Sequence, residues 1–202
     1  TGQGLVDVLK EMLPELEIDI SKMTYSLIGF GNVGGWTGRL LNQLGAKLVA
    51  VLDHTGAIHN TRGIDTALLT AHVDVTGGVG GFRGADAITT EQFYSTEVDV
   101  FIPCPLEQMT TAKEANFIRA KVVAEGANAP TTPEGDAVLQ ERGIEVLPAI
   151  LCNAGGVTVS YFEWVQNRTS VYWSAEEVDE KLNRHMVMAS RRTKLAPHKY
   201  GC

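Results

Sequence analysis

The sequence predicts an α/β domain of three layers, with a doubly wound, mostly parallel sheet covered by helices on both faces. Short apolar runs alternate with amphipathic stretches along most of the 202 residues, which is the βα rhythm of such sheets. The first clear run, Ser26-Leu27-Ile28, leads straight into Gly29-Phe30-Gly31-Asn32-Val33-Gly34. After these glycines, Trp36, Leu40, Leu41 and Leu44 recur at helical spacing. A strand, a glycine-rich turn and a helix in that order form the opening unit of a doubly wound sheet.

The other elements follow in order. A helix covers Leu5 to Leu13 ahead of the first strand. Lys47 to Leu52 is a second buried strand ending in Asp53, followed by the turn residues Asp53-His54-Thr55-Gly56. A helix occupies part of Ile64 to Val75 and breaks at Gly77-Gly78-Val79-Gly80-Gly81. Those glycines do not sit between a strand and a helix, so they read as a flexible surface loop rather than a second phosphate loop. Val98 to Ile102 is a strand ended by Pro103, and Lys121 to Ala124 is another ended by Glu125-Gly126-Ala127-Asn128. A helix runs from about Pro133 to Arg142, and Ile144 to Leu147 is a last short strand before Pro148. Gly155-Gly156 opens a long helix to about Asn167, and a further helix spans about Ala175 to Ser190. Residues 1–190 are expected to form one domain. Residues 191–202 show no period and are expected to be an irregular tail, either foreign to the domain or a loose end.

Glycine is needed three times in a dinucleotide phosphate loop: at the tight turn, where backbone meets pyrophosphate, and where helix and strand pack closely. Gly29, Gly31 and Gly34 fill those places, with Asn32 and Val33 between them. The first-turn N–H groups of the helix then face the phosphates with the positive end of its dipole. Asp53 lies 19 residues past Gly34, where a carboxylate accepts from the adenosine ribose hydroxyls and repels a 2′-phosphate. That favours NAD over NADP, softened by His54 and Arg62 nearby; an ordinary turn Asp is the alternative reading.

Lys and Arg total 17 against 24 Asp and Glu, a net charge of −7. No basic stripe suits nucleic acid outside Arg191, Arg192, Lys194 and Lys199. No apolar run approaches a membrane span, and no secretory pattern opens the chain. Three widely spaced cysteines, Cys104, Cys152 and Cys202, suggest neither a disulfide framework nor a metal site, and a reducing cytoplasm is expected.

Asn153-Ala154-Gly155-Gly156-Val157-Thr158-Val159-Ser160-Tyr161-Phe162-Glu163-Trp164-Val165-Gln166-Asn167 resembles the cofactor-binding half of glutamate dehydrogenases, within the glutamate/leucine/phenylalanine/valine dehydrogenase family. Thr1-Gly2-Gln3-Gly4, the loop Gly29 to Gly34, Val49 to Gly56, Asp99 to Leu106, Glu125 to Asn128 with Pro130-Thr131-Thr132, and Pro148 fall in the family's order. The resemblance implies a Rossmann-type domain and reversible oxidative deamination of glutamate to 2-oxoglutarate and ammonia. It also implies a homohexameric parent protein. By the same resemblance Asn153, Asn128 and Thr1 line the nicotinamide end, Cys104 lies at the cofactor, Ser160 bonds the substrate side-chain carboxylate, and Val157 forms an apolar wall. Asn153 also suits a helix cap. The family's catalytic lysines and aspartate belong to a glycine-rich lysine segment that this chain does not contain. Catalytic residues are therefore expected outside it, and Lys22, Lys47, Lys113 and Lys121 are read as surface or helix-end lysines. The chain alone is expected to be inactive. A leucine, valine or phenylalanine dehydrogenase relative, or a stand-alone NAD-binding module, is the alternative. Two positions depart from the pattern: Cys104-Pro105 stands where two alanines are usual, and Ala149 where Asp is usual.

Overall fold

The computed structural model describes residues 1–104 and 108–200, with side chains to Leu195. Its helices are α1 (Gly2–Met12), α2 (Asn32–Gln43), α3 (Thr66–Thr76), α4 (Thr90–Tyr94), α5 (Ala112–Phe117), α6 (Pro133–Glu141), α7 (Ala149–Cys152), α8 (Ala154–Thr169) and α9 (Ala175–Tyr200). Its strands are β1 (Thr24–Ile28), β2 (Lys47–Asp53), β3 (Gly56–His59), β4 (Asp86–Ile88), β5 (Glu97–Pro103), β6 (Arg119–Ala124) and β7 (Glu145–Leu147). They form one seven-stranded sheet in the order β4-β3-β2-β1-β5-β6-β7. The five strands β2, β1, β5, β6 and β7 pair in parallel.

The strands alternate their side chains between two cores. Tyr25, Leu27, Val100, Ile102, Val122 and Ala124 face one, which is closed by residues of α1, α2, α3, α8 and α9. Ile28, Phe101 and Val123 face the other, beneath Phe93 and Tyr94 of α4, Ala115 of α5 and Leu139 of α6. This period-two division is what a sheet buried on both faces requires. Several helix starts are satisfied locally. Thr89 with Gln92 and Thr111 with Glu114 form capping boxes, and Asp65 accepts from the N–H groups of Ala67 and Leu68.

Three expectations change. The sheet gains an antiparallel flank, β3 and β4, because Asp53 to Gly56 folds β3 back along β2 as a hairpin. The glycine stretch 77–81 is packed rather than loose: Val79 is fully buried and Phe82 nearly so. The irregular tail is replaced by helix, since α9 continues to Tyr200. Its last turns are held to α1 and the short 3-10 turn after it. Arg191 Nε donates to Glu11 (2.9 Å), and Lys194 Nζ donates to the Glu11 carbonyl (2.9 Å) and to Glu15 (2.6 Å).

Helices α1 and α8 cross at bare backbone. A Cβ on Gly4 would lie 2.7 Å from Gly155 Cα, and one on Gly156 would lie 2.4 Å from Thr1 Oγ1. Glycine at these positions sets Thr1 against the start of α8.

Candidate functional site

Strand order reverses between β1 and β5, and in open α/β sheets ligands bind beyond the carboxyl ends of the strands at such a switch point. The loop Gly29 to Gly34 leaves β1 there. Gly29 has φ of 80°, a left-handed conformation that favours glycine, and its N–H donates to Leu52 O at 2.7 Å. A Cβ on Gly34 would meet Gly29 O at 2.0 Å, so the first turn of α2 lies hard against the loop. Gly31 differs, because a Cβ there would meet nothing within 4 Å. Protein packing therefore does not require glycine at 31, and the space beside it is open. Gly31 is the N-cap of α2, with no side-chain cap. Among the described residues the N–H groups of Asn32, Val33 and Gly34 have no backbone acceptor. First-turn donors without a backbone acceptor on a 12-residue helix, Asn32 exposed and Val33 half-buried, suit an anion, so the cradle fits a dinucleotide pyrophosphate.

Asp53 ends β2, and its side chain is only 10% exposed. Oδ1 accepts from Thr55 N–H (2.7 Å) and the Thr55 hydroxyl (2.5 Å), and Oδ2 accepts from Val79 N–H (2.8 Å). The turn reading and the strand-end position thus hold together.

Across the switch point, Cys104 lies 8% exposed, with its N–H donating to Ile28 O at 3.0 Å. Burial pushes its thiol up to about 12. Its Cβ would touch a side chain on Gly34, and its Sγ one on Gly126, so Cys104 packs beneath the crevice. Pro105 lies outside the described residues. Beyond β6, Asn153 Nδ2 donates to Asn128 Oδ1 (2.8 Å) and Ala127 O (3.2 Å). Asn153 makes no side-chain cap on α8, so the amide is turned to its neighbours rather than to its own helix. Among the described residues, Asn153 Oδ1 and Asn128 Nδ2 have no partner, leaving one acceptor and one donor side by side. Ala149, one of the two positions that depart from the pattern, donates its N–H to Glu125 Oε2 at 3.0 Å.

The candidate residues fall into neighbouring groups. Thr1, Asn32 and Val33 line a cavity of about 600 Å³ between the starts of α1, α2 and α9. Asn128 and Asn153 line another of about 850 Å³ at the ends of β6 and β7. Val157 and Ser160 lie on an exposed stretch of α8, outside both linings, with Val157 71% exposed. Sequence reasoning missed Thr55 and Val79; a hydroxyl two residues after Asp53 and a glycine cluster after α3 were the available signals.

A family model described as glutamate/leucine/phenylalanine/valine dehydrogenase matches residues 1–202. The chain belongs to that family. It is 42% identical over 194 residues to an NAD-specific glutamate dehydrogenase of Peptoniphilus asaccharolyticus, covering 94% of this chain and 46% of the relative. It is 43% identical over 183 residues to an NADP-specific glutamate dehydrogenase A1 of Halobacterium salinarum, covering 90% and 44%. The fold matches the hetero-hexameric glutamate dehydrogenase of Thermus thermophilus in a leucine-bound form, with a TM-score of 0.92 and 26% identity over 99% of this chain and 47% of that one. The solved Peptoniphilus asaccharolyticus glutamate dehydrogenase matches with a TM-score of 0.83 and 34% identity, over the whole of this chain and 47% of that one. The α/β, Rossmann-type architecture is that of these dehydrogenases. The chain spans about half the length of the relatives it matches. No helix among the described residues is long and apolar enough to cross a membrane.

Proposed function

We propose that this chain is the dinucleotide-binding half of an amino acid dehydrogenase that oxidatively deaminates glutamate, and that it takes NAD in preference to NADP. The observation that carries the reading is the open space at Gly31 between two glycines that packing and backbone conformation do require. The names of the relatives agree on a nicotinamide dinucleotide and on glutamate but divide between NAD and NADP. The preference for NAD therefore rests on Asp53.

When bound, the nicotinamide ring supplies the hydride acceptor. The chain's own residues hold and orient it. The first-turn N–H groups of α2 neutralise the pyrophosphate, and the Asp53 charge faces the adenosine ribose. Asn153 and Asn128 offer a primary carboxamide one acceptor and one donor, which fixes which face of the ring is presented, while Thr1 lines the other cavity and is set against the start of α8. Ser160 and Val157, on the exposed stretch of α8, meet the substrate side-chain carboxylate and its methylene stem. The chain then serves as the cofactor half of a longer, homohexameric parent, with proton transfer supplied from outside this chain.

Calorimetric titration of the chain with NAD and with NADP tests the reading. Saturable one-site binding with NAD tighter is expected; no binding of either nucleotide would remove it.

A further inference from the structure

We propose that Thr55 and the glycine segment Gly77 to Gly81 are a positioning device that holds the Asp53 carboxylate and thereby sets discrimination at the adenosine 2′ position. The proposal rests on the dinucleotide reading above.

Three protein donors already meet the carboxylate. Thr55 N–H and the Thr55 hydroxyl meet Oδ1, and Val79 N–H meets Oδ2. The Thr55 hydroxyl oxygen accepts in turn from Gly80 N–H at 2.8 Å, so a relay runs from the segment through Thr55 to Asp53. The segment is shaped around this threonine. A Cβ on Gly78 would lie 2.2 Å from Thr55 Cγ2, and one on Gly80 would lie 2.8 Å from Thr55 O. It is also tied to α3: Gly80 O lies 3.0 Å from His72 Nε2, Gly78 O accepts from the Thr76 hydroxyl at 2.9 Å, and Phe82 packs edge-on against His72. Val79 is wholly buried, so its N–H cannot swing away from Oδ2 without unpacking the core.

An ionised carboxylate has about four acceptor positions, and here one is left. A fork that grips both ribose hydroxyls needs two, so Asp53 as placed takes a single hydroxyl. Its discrimination comes instead from a negative charge fixed where a 2′-phosphate would arrive. A fixed charge repels best when its side chain cannot rotate away, and Thr55 supplies that restraint. The exposed His54, with Nδ1 4.0 Å from Oδ2, is the nearest group able to offset the charge.

The test is the ratio of NADP to NAD dissociation constants, measured by calorimetry for the parent chain, Thr55→Val and Thr55→Ser. Thr55→Val removes the hydroxyl relay and keeps the shape. It is expected to narrow the ratio by about tenfold or more, the factor that goes with loss of one hydrogen bond to a charged group. Thr55→Ser keeps the hydroxyl and is expected to restore the ratio. Thr55 is exposed, and Thr55→Ala serves in its place if the valine variant does not fold. If Thr55→Val weakens both cofactors equally, or changes neither, the positioning role is overturned while the dinucleotide reading stands. If the parent chain binds neither cofactor, the dinucleotide reading falls and this inference falls with it.

Discussion

On the proposed reading Gly31 is a glycine kept for a ligand, whereas Gly34 is one kept for the fold. In Gly31→Ala the new methyl enters open space. The protein loses only the N-cap advantage of glycine over alanine, at most about 1 kcal/mol. At about 2–4 °C of Tm per kcal/mol for a chain of this size, the melt shifts by under about 4 °C. A pyrophosphate on the α2 N–H groups meets that methyl. Losing one charge-assisted hydrogen bond of about 1.5–3 kcal/mol weakens NAD by about 10- to 150-fold. Gly34→Ala does the reverse, since its methyl would sit 2.0 Å from Gly29 O and both partners are backbone. Relief requires the loop and helix to move apart, at the overpacking cost of about 1–3 kcal/mol or more, so Tm falls by about 2–12 °C and binding falls with it. Thermal melts and calorimetric titration of both variants read the two quantities separately. Should Gly31→Ala fold as the parent does and bind NAD within twofold of it, the reasoning that assigns the open space to a ligand is refuted.

Three further outcomes are expected. Asp7 is buried in α1 with Oδ2 lacking a partner. Burial pushes its carboxyl above the ordinary 3.8, against the hydrogen bond that Gln3 Nε2 donates to Oδ1. A raised folded pKa means that the ionised form costs stability at neutral pH, and that this cost is relieved as pH falls through the raised value towards 3.8. Asp7→Asn is therefore expected to stabilise the chain at pH 7 by about 1–3 kcal/mol, with the gain shrinking as pH falls towards the ordinary 3.8, as read by urea unfolding across that range; a gain that stays constant down to 3.8 would contradict it. Cys104 and Cys152 are both buried, and burial pushes both thiols up, so maleimide at pH 7 is expected to modify neither in the native chain and both after unfolding. In a full-length parent, Ser160→Ala is expected to raise KM for glutamate by about tenfold or more, as loss of a hydrogen bond to a charged group would, while KM for NAD changes little; equal effects on both would remove the substrate role.

The sequence made the parallel half of the sheet legible because each of its strands is a run of apolar residues bounded by glycine, proline or a polar turn. Strands β3 and β4 were not legible. Gly56-Ala57-Ile58-His59 and Asp86-Ala87-Ile88 are too short and mixed to show a period; antiparallel pairing makes them strands, β3 against β2 and β4 against β3. The glycine pair 155–156 signalled a helix start, but its contact with Gly4 depends on the crossing of α1 and α8, which no local pattern encodes. Asp53 could be placed from its spacing to Gly34. That it would already be held by Thr55 and Val79 could not, because Val79 reaches it from a segment that reads locally as a glycine linker. The tail beyond Ser190 lacked a period, yet Arg191 and Lys194 find Glu11 of α1 and Glu15 of the 3-10 turn after it, and α9 continues.

Amide chemical shifts recorded during titration of the isotopically labelled chain with NAD test the cofactor reading most directly. Saturable shifts at Gly31 to Gly34, at Asp53 to Thr55 and at the side-chain amides of Asn128 and Asn153 are expected together, at one dissociation constant. Absence of saturable shifts, or shifts elsewhere with the Gly31 to Gly34 amides unmoved, would contradict it.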